Sequence, residues 1–110
     1  MTYEVTNVNG AAVVALTGDV DLQTSPTVRH QLLESLEKYP QIVVDLSAVN
    51  YIDSSGVASL VEAFQVSRRK GTSFALANVS AAAMRVLSLA RLDKVFTIHA
   101  SVEAAVTTQG

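Results

Sequence analysis

The stretch Asn50-Tyr51-Ile52-Asp53-Ser54-Ser55-Gly56 places two hydroxyls, Ser54 and Ser55, between an acid and a glycine, after an apolar strand and at the opening of a helical pattern. A helix N-terminus offers unpaired backbone N–H groups and the positive end of the macrodipole, so a phosphate on either serine would meet favourable donors. Capping accounts for part of this pattern, because Asp and Ser are common N-cap residues. A cap needs one oxygen, however. Three consecutive polar side chains beyond the C-terminal end of a strand, where α/β ligand sites tend to lie, exceed that need.

Other chemistry finds less support. A hydrolase nucleophile elbow needs glycine two residues before and after its serine, but Ile52 holds the first place around Ser54, and Asp53 and Val57 hold both around Ser55. Only His30 and His99 could serve such a serine as base. Neither has a Cys or His at ligand spacing, so no metal site is expected, and both read as solvent-facing or strand-end histidines. No glycine pattern for a nucleotide or dinucleotide is present, so no cofactor is expected. Arg68-Arg69-Lys70 reads as cations offsetting a helix C-terminal dipole. Asn78-Val79-Ser80 matches a glycosylation acceptor in form only.

The elements that must position these residues follow from apolar periodicity. Tyr3 to Leu16 reads as a β-hairpin turned at Asn9-Gly10, the dipeptide that best tolerates two positive φ angles. Gly18-Asp19-Val20-Asp21 reads as a loop, and Thr24-Ser25-Pro26 as an N-cap hydroxyl followed by proline at the first helical position. Val28, Leu32, Leu33 and Leu36 make one stripe of that helix, which Tyr39-Pro40 ends. Ile42 to Leu46 has the pattern of a central strand covered on both faces, followed by a loop from Ser47 to Asp53. A second helix from about Ser54 to Lys70 presents Val57, Leu60, Val61 and Phe64, and Gly71 ends it. Ser73 to Ala77 is a short strand, Ser80 caps a helix through Met84 and Leu87, Val95 to Ile98 is a last strand, and Ser101 caps a helix ending near Thr107. Strands alternate with helices after the hairpin. The predicted class is α/β: a single domain over residues 1–110 with a mixed sheet, an N-terminal hairpin and about four helices.

Composition narrows the function. The 110 residues suit one domain, and 49% hydrophobic against 16% charged residues gives a buried core rather than disorder. Eight Lys and Arg against ten Asp and Glu leave a net charge of -2, without the basic excess a phosphate-backbone binder needs, so direct nucleic-acid binding is not expected. No cysteine is present, which removes disulfides, thiolate metal sites and cysteine catalysis. No apolar run approaches a bilayer span, so no membrane insertion is expected. Met1-Thr2-Tyr3-Glu4 has neither the basic nor the apolar region of a secretory signal, so the expected compartment is the cytoplasm.

With these residues in place, the chain resembles the STAS domain of bacterial anti-sigma factor antagonists. The resemblance rests on Asp53-Ser54-Ser55-Gly56 after the strand Val43-Val44-Asp45-Leu46, preceded by Leu16-Thr17-Gly18-Asp19-Val20-Asp21, with the hairpin, helices and closing strand in family order. Val57-Ala58 after the motif glycine departs from the Leu-Gly common in that family. The resemblance implies a STAS-like fold and a non-enzymatic phosphoprotein that regulates transcription, in some relatives during stress response, by partner switching. The unphosphorylated form would bind an anti-sigma factor with serine kinase activity and free the sigma factor. Phosphorylation at Ser54, the serine directly after the Asp, would break that complex, and a metal-dependent serine phosphatase would reset it. Ser55 aligns with the second hydroxyl. Asp19, Asp21, Asp53, Ser54, Ser55 and Gly56 form the expected partner-binding set, its acids suggesting a partly basic partner surface. The same resemblance leaves an alternative, a STAS subunit of a lipid-transporting ABC system acting as a structural partner.

Overall fold

In the computed structural model, which describes residues 2–107, β1 (Thr2–Val8) and β2 (Ala11–Val20) form the hairpin. Asn9 and Gly10 turn it with φ values of 54° and 88°, the left-handed pair a two-residue turn requires. β3 (Gln41–Ile52), β4 (Ser73–Ala77) and β5 (Ile98–His99) follow, each parallel to the strand before it, so the sheet is mixed and runs β1-β2-β3-β4-β5. The connections after the hairpin are helical, α1 (Ser25–Lys38), α2 (Ser54–Lys70) and α3 (Ala81–Leu89), and the short α4 (Val102–Thr107) follows β5. β3 is the middle strand.

The sheet has two unequal faces. Val14, Leu16, Ile42, Val44 and Leu46 point into the main core, which Val28, Leu32 and Leu36 of α1, Leu60 of α2 and Leu87 of α3 close from the same side. Ala11, Val13, Val43 and Ala77 point the other way, against Ala105 and Val106 of α4. Cover on both sides explains why Ile42-Val43-Val44 lacks polar alternation. Leu33 is only half-buried at the edge of the α1 stripe.

Four expectations are corrected. Gly18-Asp19-Val20 is strand rather than loop, and Ser47 to Ile52 continues β3 rather than leaving it. The pairing steps irregularly between Ala15 and Thr17 and again between Gly18 and Asp19, each time with an extra residue on β3. Such bulges scramble the period-2 pattern that would reveal a strand. Thr24 makes no side-chain cap to α1; its hydroxyl donates to the Asp19 carbonyl at 3.0 Å and accepts from the Asp21 amide at 2.9 Å. The strand expected over Val95 to Ile98 shrinks to Ile98–His99. A 3₁₀ turn at Leu92–Lys94 precedes it, and the amides of Val95 and Phe96 both donate to the Leu92 carbonyl, bending the chain away from β4. Phe64 packs against the main core as its place on the α2 stripe predicts, though only half-buried; its ring meets Phe96 edge-on at 5.4 Å and Phe74 at 6.2 Å, with the Arg68 guanidinium 5.8 Å from its centroid.

Candidate functional site

The site begins where β2 and β3 end side by side. Val20 pairs with Ile52, and the Asp53 amide donates to the Val20 carbonyl at 3.1 Å, so the last β2 residues and the first turn of α2 are held together. Asp53 has extended backbone angles (φ -109°, ψ -172°) and is the N-cap of α2. One of its carboxylate oxygens accepts from the Ser55 amide at 2.9 Å and the Gly56 amide at 3.1 Å, and its carbonyl takes the Val57 amide at 3.0 Å. Two of the amides that could have cradled a phosphate, those of Ser55 and Gly56, are therefore already taken by Asp53, so a phosphate on either serine finds fewer open donors than expected. An acid one residue ahead of the serines reaches the N2 and N3 amides sooner than any phosphate on the helix itself.

The two serines differ. Ser54 is exposed at the first helical position, whereas Ser55 is half-buried and its carbonyl receives the Ser59 hydroxyl at 3.2 Å. Ser59, itself buried, also lies 3.3 Å from the Ser25 carbonyl and so joins α2 to the start of α1. Gly56 is required by space: a Cβ there would sit 2.7 Å from Ile52 Cγ1 and 2.8 Å from both Val20 Cγ1 and the Val20 carbonyl oxygen. No Cβ fits so close to a fixed carbonyl. The glycine lets α2 start flush against the ends of β2 and β3, which leaves Ser54 at the rim.

Of the expected acids, Asp21 and Asp53 are committed to the backbone. The Asp21 carboxylate accepts from the amides of Gln23 at 3.0 Å and Thr24 at 3.1 Å, shaping the turn into α1. Asp19 is exposed and pairs across the ladder with Tyr51. The convergence of Asp19, Asp21 and Asp53 on one end of the sheet thus holds, with Asp19 the acid whose side chain faces solvent there.

Sequence reasoning missed the apolar surroundings of this end. Ser54 lines a groove of about 650 Å³ between α2 and α3, with Val57, Ala58, Val61, Val86 and Ala90. Val57 and Val61 looked like core positions by spacing, yet both are only half-buried. Leu22 is 73% exposed in the turn before α1 and Tyr51 is 52% exposed beside the serine loop. One signal was present in the sequence: Leu22 and Tyr51 are large apolar residues inside segments otherwise rich in Asp, Asn and Ser.

The remaining candidates lie apart from this end. His30 stands on α1 with Nε2 3.4 Å from Glu34, and His99 is half-buried on β5. Among the described residues no group of three or more His, Cys, Asp or Glu could hold a metal ion. Lys70 meets Glu37 at 3.2 Å, and Gly71 ends α2 at φ 72°. Among the described residues no helix is long and apolar enough to cross a membrane.

Comparison with known proteins agrees with this geometry. The sequence model of the STAS domain family matches residues 2–105. The chain is 30% identical to the anti-sigma-F factor antagonist RsfB of Mycobacterium tuberculosis, covering 97% of this chain and 88% of that protein. It is 28% identical to the anti-sigma-B factor antagonist of Bacillus subtilis over 84% of this chain and 85% of that one. The crystal structure of an anti-sigma factor antagonist from Mycobacterium paratuberculosis superposes with a TM-score of 0.86 at 28% identity, covering 96% of this chain and 91% of that chain.

Proposed function

Because this chain belongs to the STAS domain family, we propose that it is an anti-sigma factor antagonist, a regulatory binding protein rather than an enzyme, switched at Ser54. The unphosphorylated chain binds an anti-sigma factor and thereby frees the sigma factor. The anti-sigma factor is also a serine kinase: it transfers the terminal phosphoryl group of ATP to Ser54 Oγ, releasing ADP and the hydroxyl proton. A serine phosphatase returns the hydroxyl by hydrolysis, releasing inorganic phosphate.

The observation that carries this reading is the exposure of Ser54 beside amides that Asp53 has already satisfied. A phosphate there meets the Ser55 and Gly56 amides already taken, so it has little means of refolding the helix start. It instead adds roughly -1.5 to -2 charges to a surface that already carries Asp19 and Asp53. At a protein contact that charge must be desolvated next to like charge, which costs binding rather than folding. Ser55, half-buried behind the cap, is the poorer acceptor.

The test is incubation with ATP and the anti-sigma factor encoded in the same genome, followed by mass spectrometry of the peptide spanning Asp53 to Gly56. Phosphate on Ser54 and absent from a Ser54→Ala variant supports the reading. Phosphate chiefly on Ser55, or none, refutes it.

A further inference from the structure

The outer edge of β1 is a long run of hydrogen-bonding backbone that the fold leaves open. Among the described residues β1 lies at the end of the sheet and pairs only with β2. Its two-residue turn is closed by the Val8 and Ala11 pair, and in such a hairpin the closing pair exchanges N–H···O=C bonds. Alternation from that point turns the N–H and C=O groups of Thr6 and Glu4 toward β2, and those of Tyr3, Val5 and Asn7 outward. The ladder with β2 runs from Thr2 to Val8 without a bulge. Proline, lysine and bulges, the devices that usually blunt an edge strand, are all missing from Thr-Tyr-Glu-Val-Thr-Asn-Val. Tyr3, Glu4, Thr6 and Asn7 are exposed, so no helix covers them.

We propose that this edge pairs antiparallel with the same edge of a second copy of the chain, about a twofold axis at Val5. Three registers bring the outward groups together over a useful length. Centring on Glu4 sets two carboxylates face to face, which is repulsive. Centring on Thr6 leaves Thr2 and Tyr3 without partners. Centring on Val5 engages the whole strand: Val5 faces Val5, Glu4 faces Thr6, and Tyr3 faces Asn7. The outward N–H and C=O groups of Tyr3, Val5 and Asn7 then all find partners, and the only charge on the strand meets a hydroxyl. Val5 packs against the main core, so the axis also places both helical layers on one side of a continuous sheet. The strands run in opposite directions across the axis, so the two Ser54 ends point away from each other and both stay open to a partner.

The pairing rests on few residues and is correspondingly weak, assembling over micromolar to millimolar concentrations. Sedimentation velocity across that range is expected to show the mass rising from 11.7 kDa toward twice that value. Val5→Lys and Val5→Glu each set like charges face to face and are expected to stay monomeric, while their mixture sets lysine against glutamate and restores the dimer. Should either Val5 variant melt, Tyr3→Pro decides: the Tyr3 amide points outward, so proline leaves the hairpin ladder whole and is expected to weaken dimerisation at least tenfold. A wild type that stays monomeric at millimolar concentration, a mixture that fails to reassemble from folded variants, or a Tyr3→Pro chain that dimerises like wild type overturns the proposal.

Discussion

The starts of α1 and α2 are built from similar residues and end up with different properties. Both follow an aspartate whose carboxylate accepts two backbone amides, and both open with hydroxyl residues: Asp21 precedes Thr24 and Ser25, and Asp53 precedes Ser54 and Ser55. At α1 the hydroxyls turn inward. Thr24 bonds the Asp19 carbonyl, Ser25 is buried, and Pro26 fixes the first turn. At α2 the aspartate is itself the cap, which frees Ser54 from structural duty and leaves it exposed on the rim of an apolar groove. Residue type alone does not separate a buried serine from an exposed one; position relative to the capping acid does.

The largest effect that bears on this contrast belongs to Gly56. Gly56→Ala is expected to destabilise by about 3 kcal/mol in denaturant unfolding, because its Cβ would overlap the Val20 carbonyl. Thr27, placed three residues after Thr24 as Gly56 is after Asp53, is exposed, and Thr27→Ala should stay within about 0.5 kcal/mol. Equal effects at the two positions would mean that α2 does not start flush against β2 and β3.

Next in size is Asp53→Ala, which leaves two amides without their acceptor and should lower stability by about 1 to 2 kcal/mol. Asp53→Asn keeps the cap and removes the charge, so its melt should stay near wild type. A melt of Asp53→Ala indistinguishable from wild type would break the claim that the amides are taken.

Smaller still is Ser54→Asp, whose added charge the helix start favours by roughly 0.3 to 1 kcal/mol while Asp53 opposes it. Its unfolding midpoint should therefore shift little in either direction. A loss comparable to that of Gly56→Ala would show that Ser54 is part of the packed structure after all.

The smallest effect joins the two helices further along. Arg29 of α1 meets Glu62 of α2 at 2.7 Å, and the guanidinium hydrogen bond holds the Glu62 carboxyl below its ordinary value. A carboxyl depressed in the folded state contributes stability that is present above its unfolded value and is lost as the pH falls through the folded one. Both groups face water, so the contribution is slight and screened by salt. Glu62→Gln should remove a small acid-dependent part of the melting curve at low salt and nothing at high salt. An effect that persists at high salt would point to packing instead.

The two helix starts also show how far the sequence could be read. The bounds of α2, the Gly71 stop and the Ser80 and Ser101 caps were legible because each is a local signal written in one or two residues. The turn of the hairpin was legible for the same reason. What failed depended on neighbours. Gly18 to Val20 looked like a loop because its strand character comes from pairing with a bulged β3, and Thr24 looked like a cap until the Asp19 carbonyl claimed its hydroxyl. The buried face of α2 runs through Gly56, Ser59, Leu60, Ala63 and Ser67, where small and polar residues disguise close packing. A stripe of large residues at Val57, Val61 and Phe64 is more conspicuous in the sequence, yet it sits half-exposed. The serine pair itself was legible as a helix start, but which hydroxyl faces water was visible only once Asp53 was seen to take the amides.

The measurement that bears most directly on the proposed switch is titration calorimetry of the anti-sigma factor against three forms of the chain: wild type, Ser54→Ala and wild type phosphorylated at Ser54, each with its thermal melt. Ser54→Ala adds no charge and should bind much as wild type does, while the phosphorylated chain should lose at least a hundredfold in affinity, about 2.8 kcal/mol, with its melt nearly unchanged. Equal affinity for the phosphorylated chain and Ser54→Ala, or a loss of binding that tracks unfolding of the phosphorylated chain, would contradict a switch that acts at the partner surface.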